Sequence, residues 1–525
     1  MCAGMLKNLP LGLSGFPNLR QSGSIYVDKT AQIYQMASVP GKFFLARPRR
    51  FGKSLLVSTL EALFAHGLRD FAGLDIEKLW NDKTYQVVRL DFSEVRDFSD
   101  VEDFSRQFYE TLAAGFGAVG FEPNNRSSLA IQLSIWLSKQ PSGSLVVLID
   151  EYDAPLTAVL DNDDLFNRVS AVMSRFYATL KSRDDCLRFL FLTGITRFSH
   201  TNIFSGFNNL IDISLDARFG TLLGYTEDEL CAYFGEHLDC ACKALGVSRA
   251  DLLEEMREWY DGFCFDTQAK THVYCPWSVM RFLADDRYSF SNYWFSSGGQ
   301  PNVLMRYLVR RRLQTPLDFD EAVPMDPSAL LSTASYGQLD VNVLLHQTGY
   351  LSIRSVSPSG MLSLGYPNRE VATSMALLYA KILTQKMDFS PLELLDALMS
   401  TKVDEVINLL NQVFLSLDYL RYPIRDESTF RACLQILFVG MSLRPQIEVH
   451  SAKGRSDLEV AVGQLRWVFE LKFAKDGQDV HSLCALAVKQ MAERDYGKTA
   501  HGKTCVRVAL VFDERSRTVA DWEVL

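Results

Sequence analysis

KFFLARPRRFGKSLLVSTLEALFAHG, Lys42 to Gly67, is the stretch on which the fold turns. A short apolar run, Lys42 to Ala46, suits a buried strand; Arg47-Pro-Arg-Arg-Phe-Gly-Lys-Ser54 follows, and a helical spacing of apolar residues starts at once. Strand, tight loop ending Gly-Lys-Ser, then helix is the arrangement of a P-loop. In it backbone N–H groups and a helix N-terminus cradle phosphates, a lysine reaches the terminal ones, and a hydroxyl ligates Mg2+. Arg50, Phe51, Gly52, Lys53, Ser54 and Leu55 are therefore the candidate nucleotide contacts. The general pattern asks for a glycine at position 47, where this chain has Arg47.

Outward from that loop, Tyr85 to Phe92, Leu145 to Ile149 and Leu187 to Thr193 read as further buried strands, separated by helical stretches such as Val101 to Leu112 and Phe166 to Leu180. Strands alternating with helices imply an α/β fold with a largely parallel sheet. VVLIDEYD, Val146 to Asp153, ends an apolar strand in two acids, which is what a Walker B strand requires. Asp150 is expected on the Mg2+ side with Ser54, and Glu151 as the base that orients and deprotonates water; a solvated strand end is the plainer alternative. Thr193 or Thr196 reads as a polar sensor of the γ-phosphate or simply as a turn residue. Arg47, Arg49, Arg50 and Arg197 read as transition-state arginines or as surface charge.

Past residue 220 the alternation stops. Thr226 with Glu229 forms a capping box that opens a helix-rich region through Trp259. A short helix-and-hairpin pattern follows near Leu344 to Ile353, then a helical stretch from Val371 to about Leu420. The last 105 residues read as a second α/β unit: helix Glu427 to Leu443, strands Leu458 to Val462 and Val468 to Phe473, helix Val480 to Tyr496, strand Val506 to Phe512. The expected organisation is a core over 1–221 with an N-terminal extension, a helical lid over 222–300, a small module over 301–370, a helical connector over 371–420 and a C-terminal domain over 421–525. The aromatic group Trp259, Tyr260, Tyr274, Trp277, Tyr293 and Trp294 reads as core of the lid rather than a base-stacking platform.

The C-terminal unit carries its own chemistry. In GRSDLEV and RWVFELKF, Asp457 lies on one strand and Glu470 and Lys472 lie two apart on the next, so alternation points the latter two to one face. Two acids and a lysine meeting on a hairpin suit a Mg2+ site at which the lysine positions water beside a phosphodiester. An exposed strand face with a Glu-Lys pair is the other reading of the same spacing.

RPRRFGKSLLVSTL, preceded by YVDKT (Tyr26 to Thr30) and followed by VVLIDEYDAPL, TGITRFSHTNIFSGFNNLIDISLD and WYDGFCF with VYCPWSV, resembles the bacterial AAA-ATPase-like family that carries a C-terminal PD-(D/E)XK nuclease domain. The matches run from about Leu9 to Trp522. The resemblance implies an ASCE/AAA-like P-loop NTPase core with a helical lid and a winged-helix-like region, then a restriction-endonuclease-like α/β domain, with ATP and Mg2+ as cofactors. It makes Arg47 a family trait. It also implies Asp457, Glu470 and Lys472 as the nuclease trio, with Asp457 and Glu470 on the metal. Glu427 joins them as an additional metal-side acid, and Gln490 as a phosphate or water contact.

Composition bounds the rest. A chain of 525 residues with 47% hydrophobic and 22% charged residues is a folded one of about three units. Net charge is −9 overall, yet residues 421–525 hold 16 Lys and Arg against 14 Asp and Glu. Ten cysteines without a CxxC pair, no secretory leader and no long apolar run point to a reducing cytoplasm with no membrane partner. Nucleic acid, DNA first, is the expected partner, and homo-oligomerisation stays open. Arg306, Arg310, Arg311 and Arg312 are a phosphate-binding patch or partners of the acids at 318–326. Three functions compete: an ATP-regulated nuclease, a STAND-like ATP switch whose C-terminal domain binds without cutting, and a structural NTPase. The full Asp457, Glu470 and Lys472 set favours the first.

Overall fold

The computed structural model describes residues 6–124, 127–160, 162–197, 210–294, 322–331, 340–383, 390–417, 419, 423–441, 443, 445–451, 454–494 and 504–525. Arg306 and Arg310 to Arg312 lie outside them, as do 198–209 and the last two residues expected in the helix Val480 to Tyr496. Two compact units divide the described chain between Val371 and Ala372.

The first unit is built on strands β1 (Gly41–Ala46), β2 (Gln86–Asp91), β3 (Leu145–Asp150), β4 (Leu187–Gly194) and β5 (Ile211–Asp212). They pair in the order β2-β3-β4-β1-β5, all parallel. Every residue of β3 and β4 is buried, which is why both read as largely apolar runs; Arg188, the charged residue within β4, is paired with Asp82. The chain leaves β1 toward β2 and leaves β4 toward β5, so the order reverses between β1 and β4. That reversal opens a crevice beyond the strand ends, where open α/β sheets bind ligands. The P-loop sits there.

Helix Lys53–His66 starts directly after Gly52, whose φ of +90° makes the left-handed turn off β1. Behind it an aromatic core gathers Phe92, Phe104, Phe108, Phe116 and Phe176 from three elements. Helices Glu227–Leu245, Arg249–Tyr260 and Pro276–Ala284 form the helix-rich region, and the Thr226–Glu229 capping box is present in both directions. Their core takes in Ile25 and Val27 from the N-terminal segment together with Trp259, Tyr260 and Tyr274. YVDKT explains that docking. Asp28 caps Thr30 through N–H and hydroxyl at 2.8 and 2.6 Å, and Lys29 reaches Glu229 on helix Glu227–Leu245 at 2.6 Å. A helix, Val341–Thr348, and a sheet of β6 (Val323–Met325), β7 (Ser352–Val356) and β8 (Leu362–Gly365) in the order β6-β8-β7 complete the unit.

The second unit carries a mixed sheet of β9 (Pro445–Ser451), β10 (Gly454–Val462), β11 (Leu465–Ala474), β12 (Thr504–Asp513) and β13 (Thr518–Val524), paired in sequence order. Only β11 and β12 run parallel, and helix Val480–Arg494 makes the crossover between them. Helix Glu427–Gly440 packs on β10 and β11. β9 and β13 carry no strand signal in the sequence. Both are edges, and edge strands carry the charges and proline that blunt them, so PQIEVHS and TVADWEV lack the apolar signal of a central strand. Among the described residues no helix is long and apolar enough to cross a membrane.

Candidate nucleotide and metal sites

At the end of β1 a cavity of about 490 Å3 opens over the P-loop. Its floor is Arg49 to Leu56, its far wall Arg96 and Glu151, and its outer walls the N-terminal segment and Tyr225, Trp277 and Met280 of the helix-rich region. Thus Arg50, Phe51, Gly52, Lys53, Ser54 and Leu55 all border it. Arg50 and Gly52 both have left-handed backbone, φ +71° and +90°, turning successive amides within one short loop. Lys53 is buried, and its Nζ donates to the carbonyls of Arg47 and Pro48 at 3.0 Å each. Burial lowers its pKa against the opposing pull of Glu151 and Asp150.

Asp150 is 1% exposed, and burial raises its pKa against the Ser54 hydroxyl, which offers it a hydrogen bond, and against Lys53. Its Oδ1 accepts the Glu151 N–H at 3.0 Å, whereas its buried Oδ2 has no hydrogen-bond partner. An orphaned carboxylate oxygen beside a serine hydroxyl at a phosphate-binding loop fits Mg2+. Glu151 borders the cavity from a left-handed backbone, φ +47°, and is ion-paired with Arg96; burial raises its pKa as well.

Several expected residues do other work. Thr193 is fully buried, does not line the cavity, and donates its hydroxyl to the Leu45 carbonyl on β1 at 2.8 Å. Thr196 bonds Asp153, which accepts from its N–H and hydroxyl at 2.8 and 2.6 Å. The last acid of DEYD, Asp153, therefore pins the chain after β4. Arg47 and Arg197 are neither surface charge nor cavity-facing. Arg47 donates to the carbonyls of Ala46, Ser214 and Phe219 and lies 4.1 Å over the Phe265 ring, with burial pulling its pKa down to about 9. Arg197 pairs with Asp212 and donates to the Leu330 carbonyl. Trp277, expected in the core of a lid, borders the cavity instead, with the Arg50 guanidinium 4.5 Å over its ring.

In the second unit, pairing of Leu458 with Phe469 sets Asp457 beside Glu470. Asp457 Oδ2 accepts the Leu471 N–H at 2.8 Å, which fixes the acid across the hairpin. Glu470 is fully buried; its Oε1 takes a hydrogen bond from Lys472 Nζ at 3.1 Å and its Oε2 has no partner. Burial and then Asp457 push Glu470 up to about 7. Glu427, at the start of its helix, lies 3.7 Å from Lys472 Nζ, and burial raises its pKa too. For Lys472, burial is outweighed by Glu470, Glu427 and Asp457, so its pKa is raised. Among the described residues no three acid, histidine or cysteine side chains have converged into a metal cage. Two carboxylates suffice for Mg2+, which keeps most of its waters, and the orphaned Glu470 oxygen fits that demand. Gln490 is half-buried on the crossover helix, and no hydrogen bond joins it to the trio. Nearby Glu459 is buried too but is satisfied by Arg466 and Ser456.

Comparison with known proteins places a family on each of the two regions. Residues 10–204 match the family described as "Predicted AAA-ATPase", and residues 425–522 match the PD-(D/E)XK nuclease superfamily. An "Uncharacterized protein in vnfD 5'region" of Azotobacter chroococcum mcd 1 is 30% identical over 541 residues, spanning 99% of each chain. This chain belongs to the AAA-ATPase-like family with a C-terminal PD-(D/E)XK nuclease-superfamily domain. Its domains point to an ATPase and a nuclease. What the sequence of this AAA-ATPase-like protein did not disclose is Arg96 against Glu151 and the N-terminal wall of the cavity. Those contacts join residues far apart in the chain, and no local spacing signals them.

Proposed function

We propose that the protein binds MgATP in the crevice at the end of β1, hydrolyses it through Glu151, and cleaves nucleic-acid phosphodiesters at Asp457, Glu470 and Lys472 under the control of the bound nucleotide. One observation recurs at both places and carries the reading: a buried carboxylate oxygen without a partner beside a lysine suited to phosphate, Asp150 near Lys53 and Glu470 with Lys472. Ser54 and Asp150 would hold one Mg2+, and Asp457 and Glu470, with Glu427 close by, another. When bound, the ion offsets phosphate charge and acidifies water.

The chain's own groups do the remainder. Lys53 and the loop amides place the terminal phosphates. Glu151, its pKa raised by burial, accepts a proton from water at the cavity wall. In the C-terminal domain Lys472 orients water, and Glu470 anchors Lys472 through their hydrogen bond. The test is cleavage of single- and double-stranded DNA and RNA by purified protein with Mg2+, beside ATP turnover. Loss of Mg2+-dependent cleavage in Asp457→Ala and Glu470→Ala with ATPase retained supports the reading. Cleavage that survives Asp457→Ala places the site elsewhere, and ATP turnover without cleavage of any substrate would make the C-terminal domain a binding module.

A further inference from the structure

The P-loop is braced from a side that phosphate chemistry does not use. Phe51, 1% exposed, packs edge-on against Phe263 and Phe265, with ring centres 4.8 and 5.3 Å away. Trp294, fully buried, donates its indole Nε1–H to the Arg49 carbonyl at 3.2 Å. The braces therefore come from WYDGFCF, Trp259 to Phe265, and from the segment ending at Trp294.

The same two segments also meet the start of helix Arg369–Leu383. Gly262 (φ +91°) comes so close to Pro367 that an added Cβ would lie 2.0 Å from its carbonyl oxygen. Asn368 donates to the Asp261 carbonyl at 2.6 Å and accepts the Val371 N–H at 3.0 Å. Glu370, 0% exposed, accepts the Trp294 backbone N–H at 2.8 Å and the Ser278 hydroxyl at 2.7 Å. One tryptophan is thus held at its backbone by the helix start and holds the P-loop with its ring nitrogen.

The Arg49 carbonyl matters because it belongs to the peptide that precedes left-handed Arg50. A left-handed non-glycine residue persists only where its surroundings hold it, and a donor on that carbonyl resists rotation of the peptide whose N–H belongs to Arg50. We propose that Trp294 and Glu370 are positioning residues of the nucleotide site: Trp294 locks the Arg49–Arg50 peptide for phosphate binding, and Glu370 locks Trp294, tying the loop to the start of helix Arg369–Leu383. This rests on the reading of the crevice as a MgATP site. By linkage, a nucleotide that steadies the loop steadies the helix start equally.

The experiment uses the full chain and the Mg2+ complex of a nonhydrolysable ATP analogue. Calorimetric titration compares wild type with Trp294→Phe, Glu370→Ala, Glu370→Gln and the Trp294→Phe/Glu370→Ala double variant. Amide exchange is followed over 369–376. Loss of one hydrogen bond corresponds to about a two- to tenfold weaker affinity, expected for Trp294→Phe and Glu370→Ala. Glu370→Gln, which keeps an acceptor oxygen, stays near wild type, and the double variant is no weaker than either single one. For ATP turnover the loss appears in KM and not in kcat. The analogue slows exchange over 369–376 in wild type and does so less in Trp294→Phe at saturation. Wild-type affinity in Trp294→Phe, or additive losses in the double variant, would overturn the proposal. If Glu370→Ala does not fold, Trp294→Phe decides. A wild-type chain that fails to bind the analogue contradicts the MgATP reading itself and removes this one with it.

Discussion

Position 47 shows how a residue can contradict a motif and still complete the site. An arginine where the general P-loop has glycine is spent on three carbonyls and an aromatic ring, so it shapes the loop from beneath. Arg47→Gly, which would restore the general pattern, should lower stability by about 2–4 kcal/mol because it strips buried carbonyls of their donor; denaturant unfolding that matches wild type would refute this. Lys53→Ala should abolish MgATP binding, whereas Glu151→Gln should keep binding and slow turnover. Binding titrations beside turnover separate the two, and normal turnover in Lys53→Ala would contradict the P-loop assignment. Glu370 gives a pH signature: burial raises its pKa from 4.5 to about 8, and the neighbours it also influences, Tyr260 and Cys275, have pKa values raised by burial. A carboxyl raised in the folded state contributes stability that is complete below about 4.5 and is lost as pH climbs through about 8. Wild type should therefore lose stability relative to Glu370→Gln across that window, by at most about 1.4 kcal/mol per pH unit. Parallel stability curves would contradict it. Lys53, Asp150, Glu470 and Lys472 were legible because their neighbours in sequence are also their neighbours in space. Trp294 and Glu370, 76 residues apart, had no such signal.

Elements were legible in proportion to how completely they are buried. β3 and β4 announce themselves as apolar runs, and Glu470 and Lys472 follow from the alternation of β11. The edges β5, β9 and β13 do not, since an edge keeps polar residues on its open side. β10 is longer than its apolar run because its first residues pair with β9. β13 is held from outside its sheet by Asn411 on helix Val403–Ser416, which donates to the Val519 carbonyl at 3.0 Å and accepts the Val519 N–H at 2.7 Å. Asn411→Ala removes both bonds, at about 1–3 kcal/mol. Amides at 518–524 should then exchange at least several-fold faster, measured by hydrogen exchange on the full chain; unchanged protection there would show that the strand holds itself.

At the scale of the molecule, one chain joins a P-loop α/β unit to a sheet bearing a carboxylate–lysine site, and the two sites share no residues. Asp457→Ala should therefore leave ATP turnover within about twofold of wild type while cleavage disappears. Lys472→Ala should lose cleavage and keep metal binding, because the carboxylates remain. That two-part plan was readable from the sequence, since each site announces itself by a local spacing; the proposed nucleotide control has no such spacing. Differential contacts made by ATP and ADP typically bias a second site by about 1–3 kcal/mol, a several-fold to hundredfold change in rate or affinity. The measurement that bears most directly on nucleotide control is the cleavage rate of the full chain on a substrate it cuts well, in three states: without nucleotide, with ADP, and as Glu151→Gln with ATP. Nucleotide control requires the ATP-held state to differ from the ADP state by at least several-fold. Equal rates in all three states, with nucleotide binding confirmed in each loaded sample, would contradict it.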